Sequence, residues 1–259
     1  MAKLSLIAKS LIYQTLDIVT SKRGIPRVIG GERIYFPPAW SRYYEPDYET
    51  VTFDFLREHC RPGDTVLDIG AHIGLFTVLI ARLVSPNGRV FSFEPTPFTR
   101  DVLKRTVTIN ECNAVVDVRA EALSDSSGTA TFFDTGDTIS NANSLVKTER
   151  HAGGFCVTTL TVDDFVSGHN LQVRCLKVDV EGAEFQVLLG ARQTMIKQRP
   201  AISLALHPSA INGSGGSLEK IWATLQEYRY EVSHNTILID STWFVTQEGL
   251  FDVQCIPIQ

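Results

Sequence analysis

Residues 65–74, with the sequence TVLDIGAHIG, combine an apolar run, an acid and a glycine turn. The run predicts a buried strand and the glycines predict a turn into a helix. Ligands of open α/β sheets bind where such strands end. In the dinucleotide fingerprint G-x-G-x-x-G the middle glycine lets the backbone approach a pyrophosphate, but His72 holds this position. His72 and the carboxylate of Asp68 therefore oppose a pyrophosphate and favour a cationic ligand.

Two further acids follow predicted strands. Glu94 lies 20 residues beyond Gly74, and Asp179 belongs to a later strand. An acid at the first spacing can accept hydrogen bonds from both hydroxyls of a ribose, although Glu94 could instead cap the following helix. S-adenosylmethionine carries an ammonium, a sulfonium and a ribose but no phosphate, so Asp68 and Asp179 would attract it. The set of acids therefore predicts S-adenosylmethionine as the cofactor.

Strands and helices alternate from Thr65 onwards, which predicts an α/β fold with a mostly parallel central sheet and helices on both faces. The predicted strands are residues 65–69, 89–93, 115–120, 174–180, 201–206, 230–232 and 251–256, and the predicted helices begin at Asp47, Leu75, Thr96 and Ser217. Short extended segments at 129–133 and 157–160 flank a polar loop. This loop, residues 136–154, is long enough to reach over a site, and we expect it to order over bound ligand.

The N-terminal part differs in pattern from the rest. Residues 1–19 predict an amphipathic helix, and the proline- and aromatic-rich stretch that follows predicts a strand and a loop. We therefore divide the chain into an N-terminal helix and irregular extension (1–46) and a Rossmann-like domain (47–259). The helix could pack on its own domain, mediate a homodimer or, as a less favoured alternative, lie on a membrane surface.

Composition narrows the functional classes. Hydrophobic residues make up 44% and charged residues 20% of the 259, as in ordinary globular proteins. The net charge of -5, with no basic cluster, argues against a nucleic-acid partner. No apolar run is long enough for a membrane span. Five dispersed cysteines without a C-x-x-C pair indicate neither disulfides nor a zinc site, and favour a reduced, cytoplasmic location.

Four motifs occur in order: DIGAHIG, FEPTP, EALSD with Gly128 following, and LKVDVEGAE with LLGA behind it. Together they resemble the FkbM-type family of S-adenosylmethionine-dependent methyltransferases over residues 44–207. The resemblance implies the Rossmann-like class I methyltransferase fold. By this resemblance the loop residues Gly70, Ala71 and Gly74 approach the methionine part, Glu94 holds the ribose, Ala122, Leu123 and Asp125 border the adenine, and Asp179 faces the methionine amino group.

The sequence departs from that family at two positions. His72 stands where such proteins usually carry asparagine, so it is counted with the cofactor loop but its role stays open. Ala205 stands where the family tends to show an acid before His207. A metal or base role of that acid therefore cannot be transferred to this chain.

Methyl transfer mainly requires alignment of the nucleophile, the methyl group and the sulfur. The resemblance implies O-methylation of a hydroxyl on a sugar or secondary metabolite, for which a base is useful. Candidate bases are His207, Asp179, Glu181 and Glu184. His207 is favoured because imidazole titrates near neutral pH, although it could instead only cap its strand.

Lys177 shares a strand face with Asp179 by period-two alternation, which predicts an ion pair within the site. Lys177 is therefore a candidate catalytic residue, or it only compensates the charge of Asp179. Glu184 more often fits a structural role, with Glu181 facing the pocket. Asp179, Glu181 and His207 could in principle hold a divalent metal, but no tight ligand spacing exists, and no metal is predicted.

Two other functional classes stay open at this point. A nicotinamide-dependent oxidoreductase is disfavoured by His72 and Asp68, because both oppose a pyrophosphate. A cofactor-binding scaffold without turnover has one hint, the missing acid at Ala205.

Overall fold

The computed structural model describes residues 22–136 and 143–258, together with residues 13, 15–16 and 18–20. Most of the N-terminal helix expected over residues 1–19 lies outside this range, as does the middle of the expected loop, residues 137–142. In the described part of the chain, no helix is both long and apolar enough to cross a membrane.

The fold is built on an eight-stranded sheet. The strands of the described chain are β1 (Ile25–Ile29), β2 (Glu32–Phe36), β3 (Thr65–Ile69), β4 (Arg89–Phe93), β5 (Val116–Arg119), β6 (Ala122–Leu123), β7 (Gly128–Asp134), β8 (Gly153–Leu160), β9 (Val173–Val178), β10 (Ala201–Leu206), β11 (Tyr230–His234), β12 (Ile237–Leu238) and β13 (Phe251–Pro257). Their order in the eight-stranded sheet is β12-β11-β13-β10-β9-β3-β4-β5. Strands β10, β9, β3, β4 and β5 run parallel to one another. This is the α/β class expected from the alternating pattern.

Helices cover both faces of the sheet. They are α1 (Thr50–His59), α2 (Leu75–Val84), α3 (Pro97–Ile109), α4 (Val162–Gly168), α5 (Glu184–Gly190), α6 (Arg192–Lys197), α7 (Pro208–Gly213), α8 (Leu218–Glu227) and α9 (Ser241–Val245). Alternate residues of β3 explain the two layers: Leu67 and Ile69 pack with α4, α5 and α8 on one face, whereas Val66 packs with α1, α2 and α3 on the other. Because a parallel strand between two helical layers is buried on both faces, it reads as a continuous apolar run.

Strand β13 enters the sheet antiparallel between β10 and β11. Its residue Asp252 lies opposite Ala205 of β10. The last predicted strand is therefore an interior strand, and the outer edge is formed by the short strand β12.

The N-terminal extension is more regular than expected. In place of one strand and a loop, β1 and β2 form an antiparallel hairpin through the turn at Gly30 and Gly31. Its buried residues Ile29, Ile34 and Phe36 share a core with α1 and α2. Among the described residues, packing therefore continues across the boundary that we expected at residue 46.

Three other boundaries differ from the sequence expectations. The helix expected from Asp47 begins at Thr50, because Glu49 has a left-handed backbone conformation (φ 43°) that interrupts the helical path. Strand β9 ends at Val178, so Asp179 lies just beyond it. The segments 129–133 and 157–160 belong to two longer strands, β7 and β8, which form a small sheet with β6.

Candidate active site

An open-sided pocket of about 860 Å³, including the solvent at its mouth, lies at the carboxyl ends of β3, β4 and β9. Its wall includes the predicted residues Gly70, Ala71, His72, Glu94, Ala122, Leu123, Lys177, Asp179 and Glu181. Six of them follow three different parallel strands, which brings residues far apart in sequence to one edge of the sheet. This is the place where open α/β sheets bind ligands.

The glycine turn after β3 is shaped by close packing. Gly70 has φ +83°, and a Cβ atom there would lie 1.8 Å from the carbonyl oxygen of Asp179. Gly74, which precedes α2, has φ +94°, and its Cβ would lie 2.7 Å from Leu103. Only glycine adopts these conformations at such approaches without strain. Gly74 therefore serves the packing of α2 against α3, and it lies behind the pocket wall.

Glu94 is fixed by two backbone amides. Its Oε2 accepts a hydrogen bond from the amide of His72 (3.1 Å), and its Oε1 accepts one from the amide of Thr96 (2.8 Å). Glu94 is only 7% exposed, and burial raises the pKa of its carboxyl group. The contact to Thr96 agrees with the helix-cap alternative, yet the carboxylate also lines the pocket. Glu94 thus joins the glycine turn to the start of α3 while retaining lone pairs for a ligand.

His72 lies within an aromatic cluster that the sequence did not reveal. The hydroxyl group of Tyr44 is 3.0 Å from His72 Nδ1, and the rings of Trp40 and Tyr43 lie 5.9 Å and 4.9 Å from the imidazole. Burial lowers the pKa of His72 to about 4, so the ring is neutral at physiological pH. Its Nε2 is buried without a hydrogen-bond partner among the described residues.

The backbone of His72 leads to a test of this turn. Its φ of +47° is left-handed, a conformation that asparagine tolerates and valine does not. We expect His72→Asn to be more stable than His72→Val by about 1 to 2 kcal/mol, because the left-handed conformation costs a branched side chain about that much. Urea denaturation of both variants measures the difference.

The same pair of substitutions at His59, the last residue of α1, is the matched control. Asparagine and valine have similar helix propensities, so the two His59 variants should differ by less than about 0.5 kcal/mol. Equal stabilities of the two His72 variants would mean that the turn can relax into another conformation.

Asp68 lies behind the pocket wall and does not face the expected ligand. Its side chain is fully buried on the α2 face of the sheet, where Oδ2 accepts a hydrogen bond from Thr77 (2.6 Å). Burial raises the pKa of Asp68, and the Lys177 charge acts against this rise. The expectation that Asp68 contacts the cofactor's amino-acid end is therefore corrected: it is a buried carboxyl group beneath the turn, because odd and even residues of β3 face opposite layers.

Lys177 and Asp179 form the ion pair that the period-two alternation predicts. Lys177 Nζ is 3.2 Å from Asp179 Oδ2 and 3.4 Å from the carbonyl oxygen of Gly70. The lysine side chain is 5% exposed and that of Asp179 is 23% exposed. Burial works against ionisation of Asp179, but Lys177 and then His207 lower its pKa. Asp179 is therefore an anion facing the pocket, and Lys177 is its buried partner.

Three carboxylates surround His207. Its Nδ1 lies 2.9 Å from Glu184 Oε1, and its Nε2 lies 3.4 Å from Glu181 Oε2 and 3.9 Å from Asp179 Oδ1. Glu184 is fully buried and also accepts the amide of Gly182 (3.0 Å). Glu181 lines the pocket, as expected, and Glu184 lies behind it.

These neighbours correct the expectation that His207 is a neutral base. Burial alone would lower the pKa of His207, but the hydrogen bonds and charges of Glu181 and Glu184 raise it to about 11. The imidazole therefore carries a proton at neutral pH and cannot accept another. A base that titrates near neutral pH, as expected of an ordinary imidazole, does not fit this environment.

The remaining predicted residues are divided between the wall and the surface. Ala122 and Leu123 line the pocket, whereas Asp125 is exposed and borders a separate polar groove. The described part of the expected loop reaches the pocket through Asn143 and Leu145. Ser144 anchors it by a hydrogen bond to the carbonyl oxygen of Val180 (3.0 Å).

Sequence reasoning missed several wall residues. These are Tyr44, Tyr48, Thr96, Thr99, Glu121, Phe132, Asn143 and Leu145. Proline and aromatic residues before α1 gave no periodic pattern, so their approach to the turn after β3 could not be predicted. The density of aromatics between residues 35 and 48 was the available signal.

Comparison with known proteins agrees with this geometry. The family model described as the methyltransferase FkbM domain matches residues 68–232. That range contains the glycine turn, Glu94, Asp179 and His207. The match covers more than half of the chain.

Three individual relatives share 25 to 29% of their aligned residues with this chain. A 31-O-demethyl-FK506 methyltransferase from Streptomyces tacrolimicus is 28% identical over 50% of this chain and 60% of its own length. The methyltransferase sdnD of Sordaria araneosa is 29% identical over 48% of this chain and 59% of its own length. An antimetabolite synthetase of Pseudomonas aeruginosa, AmbE, is 25% identical over 66% of this chain but 10% of its own length. The chain thus spans about three fifths or less of these relatives.

Among solved structures, a protein of Clostridium thermocellum assigned as an rRNA methylase superposes with a TM-score of 0.52. The two chains are 13% identical over 81% of this chain and 94% of the other. At this identity the likeness concerns the fold alone.

Proposed function

Because the chain belongs to the FkbM methyltransferase family, we propose that it transfers the methyl group of S-adenosylmethionine to a hydroxyl of a sugar or another small molecule. The observation that carries the proposal is a pocket at the strand ends with Glu94 fixed on one side and Asp179 on another. Membership of the family supports methyltransferase activity. The activity, the cofactor's contacts and the oxygen acceptor together form the proposal.

The charge of the wall suits this cofactor. Four acids, Glu94, Glu121, Asp179 and Glu181, and one lysine line the described pocket. The lysine is paired with Asp179, and Glu121 and Glu181 have cationic partners behind the wall in Arg119 and His207. The attraction for a sulfonium and an ammonium therefore comes from the carboxylate oxygens that face the pocket. The same wall repels a diphosphate, which disfavours the nicotinamide alternative.

Apolar residues complete the fit. Leu123, Phe132 and Leu145 form a less polar part of the wall that suits the face of an adenine ring. Glu94 would accept the ribose hydroxyls, and Asp179 would attract the methionine amino group. When bound, the cofactor supplies the activated methyl group, and the protein's task is to hold the acceptor in line with it.

The acceptor oxygen loses a proton during the reaction. His207 is already protonated, so the carboxylates of Asp179 and Glu181 are the groups on this part of the wall that can attract the proton. In the transfer the acceptor oxygen bonds to the methyl carbon and the sulfur keeps the electron pair of the broken bond. The name of the Streptomyces relative describes methylation at an oxygen, which supports the choice of a hydroxyl acceptor.

The role of Glu94 leads to a direct test. We expect Glu94→Gln to weaken S-adenosylmethionine binding about 10- to 100-fold, because a hydrogen bond to a charged acceptor contributes about 1.5 to 3 kcal/mol. Glutamine keeps an acceptor oxygen for one of the two backbone amides and has the same size as glutamate, so the fold should survive. Calorimetric titration with S-adenosylmethionine measures the affinity.

Asp117→Asn is the matched control, since this acid lies on β5 and its side chain is 44% exposed. The affinity of the Asp117→Asn variant for S-adenosylmethionine should stay at the wild-type value. If Glu94→Gln also binds the cofactor normally, Glu94 is only a helix cap and the proposed ribose contact is wrong.

A further inference from the structure

Two loops that follow neighbouring strands bring three possible metal ligands together. Oxygen atoms of Asp179 and Glu181, after β9, and a ring nitrogen of His207, after β10, all lie within 4.8 Å of one another. The Nε2 of His207 is 3.4 Å from the Glu181 oxygen and 3.9 Å from the Asp179 oxygen. Donor atoms at such separations can share one ion, since ligands about 2.1 Å from a metal lie about 3 to 4 Å apart.

The imidazole of His207 is held in one orientation. Its Nδ1 faces Glu184 Oε1 at 2.9 Å, and the same oxygen accepts the amides of Gly182 (3.0 Å) and Val180 (3.3 Å). A carboxylate on one ring nitrogen fixes the tautomer and aims the other nitrogen at the ion in histidine metal sites. Here Glu184 fixes the proton on Nδ1, and Nε2 points to the two carboxylates. Because the imidazole is protonated without an ion, the ion would displace the proton of Nε2 when it binds.

Asp179 divides its two oxygens between different partners. Oδ2 pairs with Lys177 at 3.2 Å, whereas Oδ1 is the oxygen that faces His207. Lys177 therefore leaves one carboxylate oxygen for a second cation.

Oε2 of Glu184 is buried without a hydrogen-bond partner among the described residues. With Asp179, Glu181 and Glu184 together, the cluster has more carboxylate oxygens than positive partners.

The backbone locks the two loops against each other. Glu181 has φ +54° and Gly182 has φ +110°. A Cβ atom at Gly182 would lie 2.5 Å from the Cβ of Ala210 in α7, the helix that follows His207 directly. The loop that carries the carboxylates thus packs on the element that carries the histidine, so the donor set is formed before any ion binds.

We propose that Asp179, Glu181 and His207 bind one divalent cation of the first transition series, represented by Mn²⁺. Two carboxylates and one imidazole form a mixed oxygen and nitrogen donor set, which suits such ions better than Mg²⁺ or Ca²⁺. Three protein ligands leave positions open for oxygen atoms of water or substrate. If the proposed methyl transfer is also correct, the acceptor hydroxyl would bind there, and the ion would favour its deprotonated form.

Mn²⁺ binding can be measured without cofactor or acceptor. The six-line electron paramagnetic resonance spectrum of free Mn²⁺ reports the bound fraction during titration of the full chain. We expect about one ion per chain, at least 10-fold weaker binding by Glu181→Gln, and 10- to 100-fold weaker binding by Glu184→Gln, which acts only by positioning His207. Asp101→Asn, an acid with a side chain 78% exposed, should bind like the wild type.

His207→Gln should also lose the ion. If the His207→Gln variant does not fold, the comparison of Glu181→Gln with the wild type is sufficient to test the site. Wild-type protein that leaves millimolar Mn²⁺ free, or equal binding by Glu181→Gln and Asp101→Asn, would overturn the metal site. Titration of the same samples with S-adenosylmethionine separates the two proposals. Cofactor binding without Mn²⁺ binding rejects only the metal site, and Mn²⁺ binding without cofactor binding rejects only the proposed function.

Discussion

Replacement of Gly70 by alanine is expected to lower the free energy of unfolding by about 2 to 5 kcal/mol, which combines a left-handed backbone cost and forced overpacking. The added Cβ would lie 1.8 Å from the carbonyl oxygen of Asp179. The turn after β3 and the end of β9 would have to separate, and both belong to the pocket wall. Cofactor binding should therefore be lost in any fraction that still folds. Chemical denaturation and calorimetric titration measure the two effects.

Two other glycines separate the causes. Gly63 also has a left-handed backbone (φ +94°), but a Cβ there meets nothing within 4 Å, so Gly63→Ala isolates the conformational cost of about 1 to 2 kcal/mol. At Gly168, the last residue of α4, a Cβ also meets nothing within 4 Å, so Gly168→Ala should not destabilise the protein. A loss at Gly70 no larger than that at Gly63 would show that the turn moves away from Asp179 without cost.

Lys177→Met is expected to destabilise the protein by about 3 to 5 kcal/mol, because it removes one partner of a buried ion pair. Lys177 is 4% exposed, and its charge acts on both Asp179 and the fully buried Asp68. Methionine fills much of the same space as lysine, so the loss of stability comes mainly from the lost charge and not from lost volume. Lys104→Met, whose lysine side chain is 56% exposed, should change stability by less than about 0.5 kcal/mol.

A double substitution shows whether Lys177 stabilises Asp68 as well as Asp179. Asp68→Asn keeps an oxygen for the hydroxyl of Thr77 and removes the buried group that can carry a charge. We expect Asp68→Asn to restore part of the stability lost in Lys177→Met, with a coupling of about 1 kcal/mol or more between the two sites. Strictly additive losses would show that Lys177 stabilises Asp179 alone.

Local patterns explain the parts of this molecule that could be predicted from sequence. The β3 strand, its turn and α2 occupy 20 consecutive residues, 65–84, in which apolar period and glycine positions agree. The Lys177 and Asp179 pair followed from alternation along one strand. The same alternation places Asp68 with Val66 on the α2 face of β3. The expectation that Asp68 contacts the cofactor depended only on its position near the end of the strand.

Other features depend on contacts between distant segments. Tyr44 reaches His72 across 28 residues, from a segment without helical or strand period. His207 is flanked by Glu181 and Glu184 from another loop, so its titration could not be judged from the properties of an isolated imidazole. Such contacts are set by the order of strands in the sheet, which a single sequence does not show.

The position of β13 also has a consequence for synthesis of the chain on the ribosome. Strand β10 ends at Leu206, and the strand that covers its second edge ends at Pro257. At about 5 to 20 residues per second, roughly 3 to 10 seconds separate the translation of the two ends. Throughout that interval the nascent β10, an apolar segment with the sequence AISLAL, presents an unpaired edge of the kind that promotes aggregation. Slow translation between residues 207 and 257 would lengthen this exposure, and a chaperone that binds unfolded chains would reduce the risk of aggregation during it.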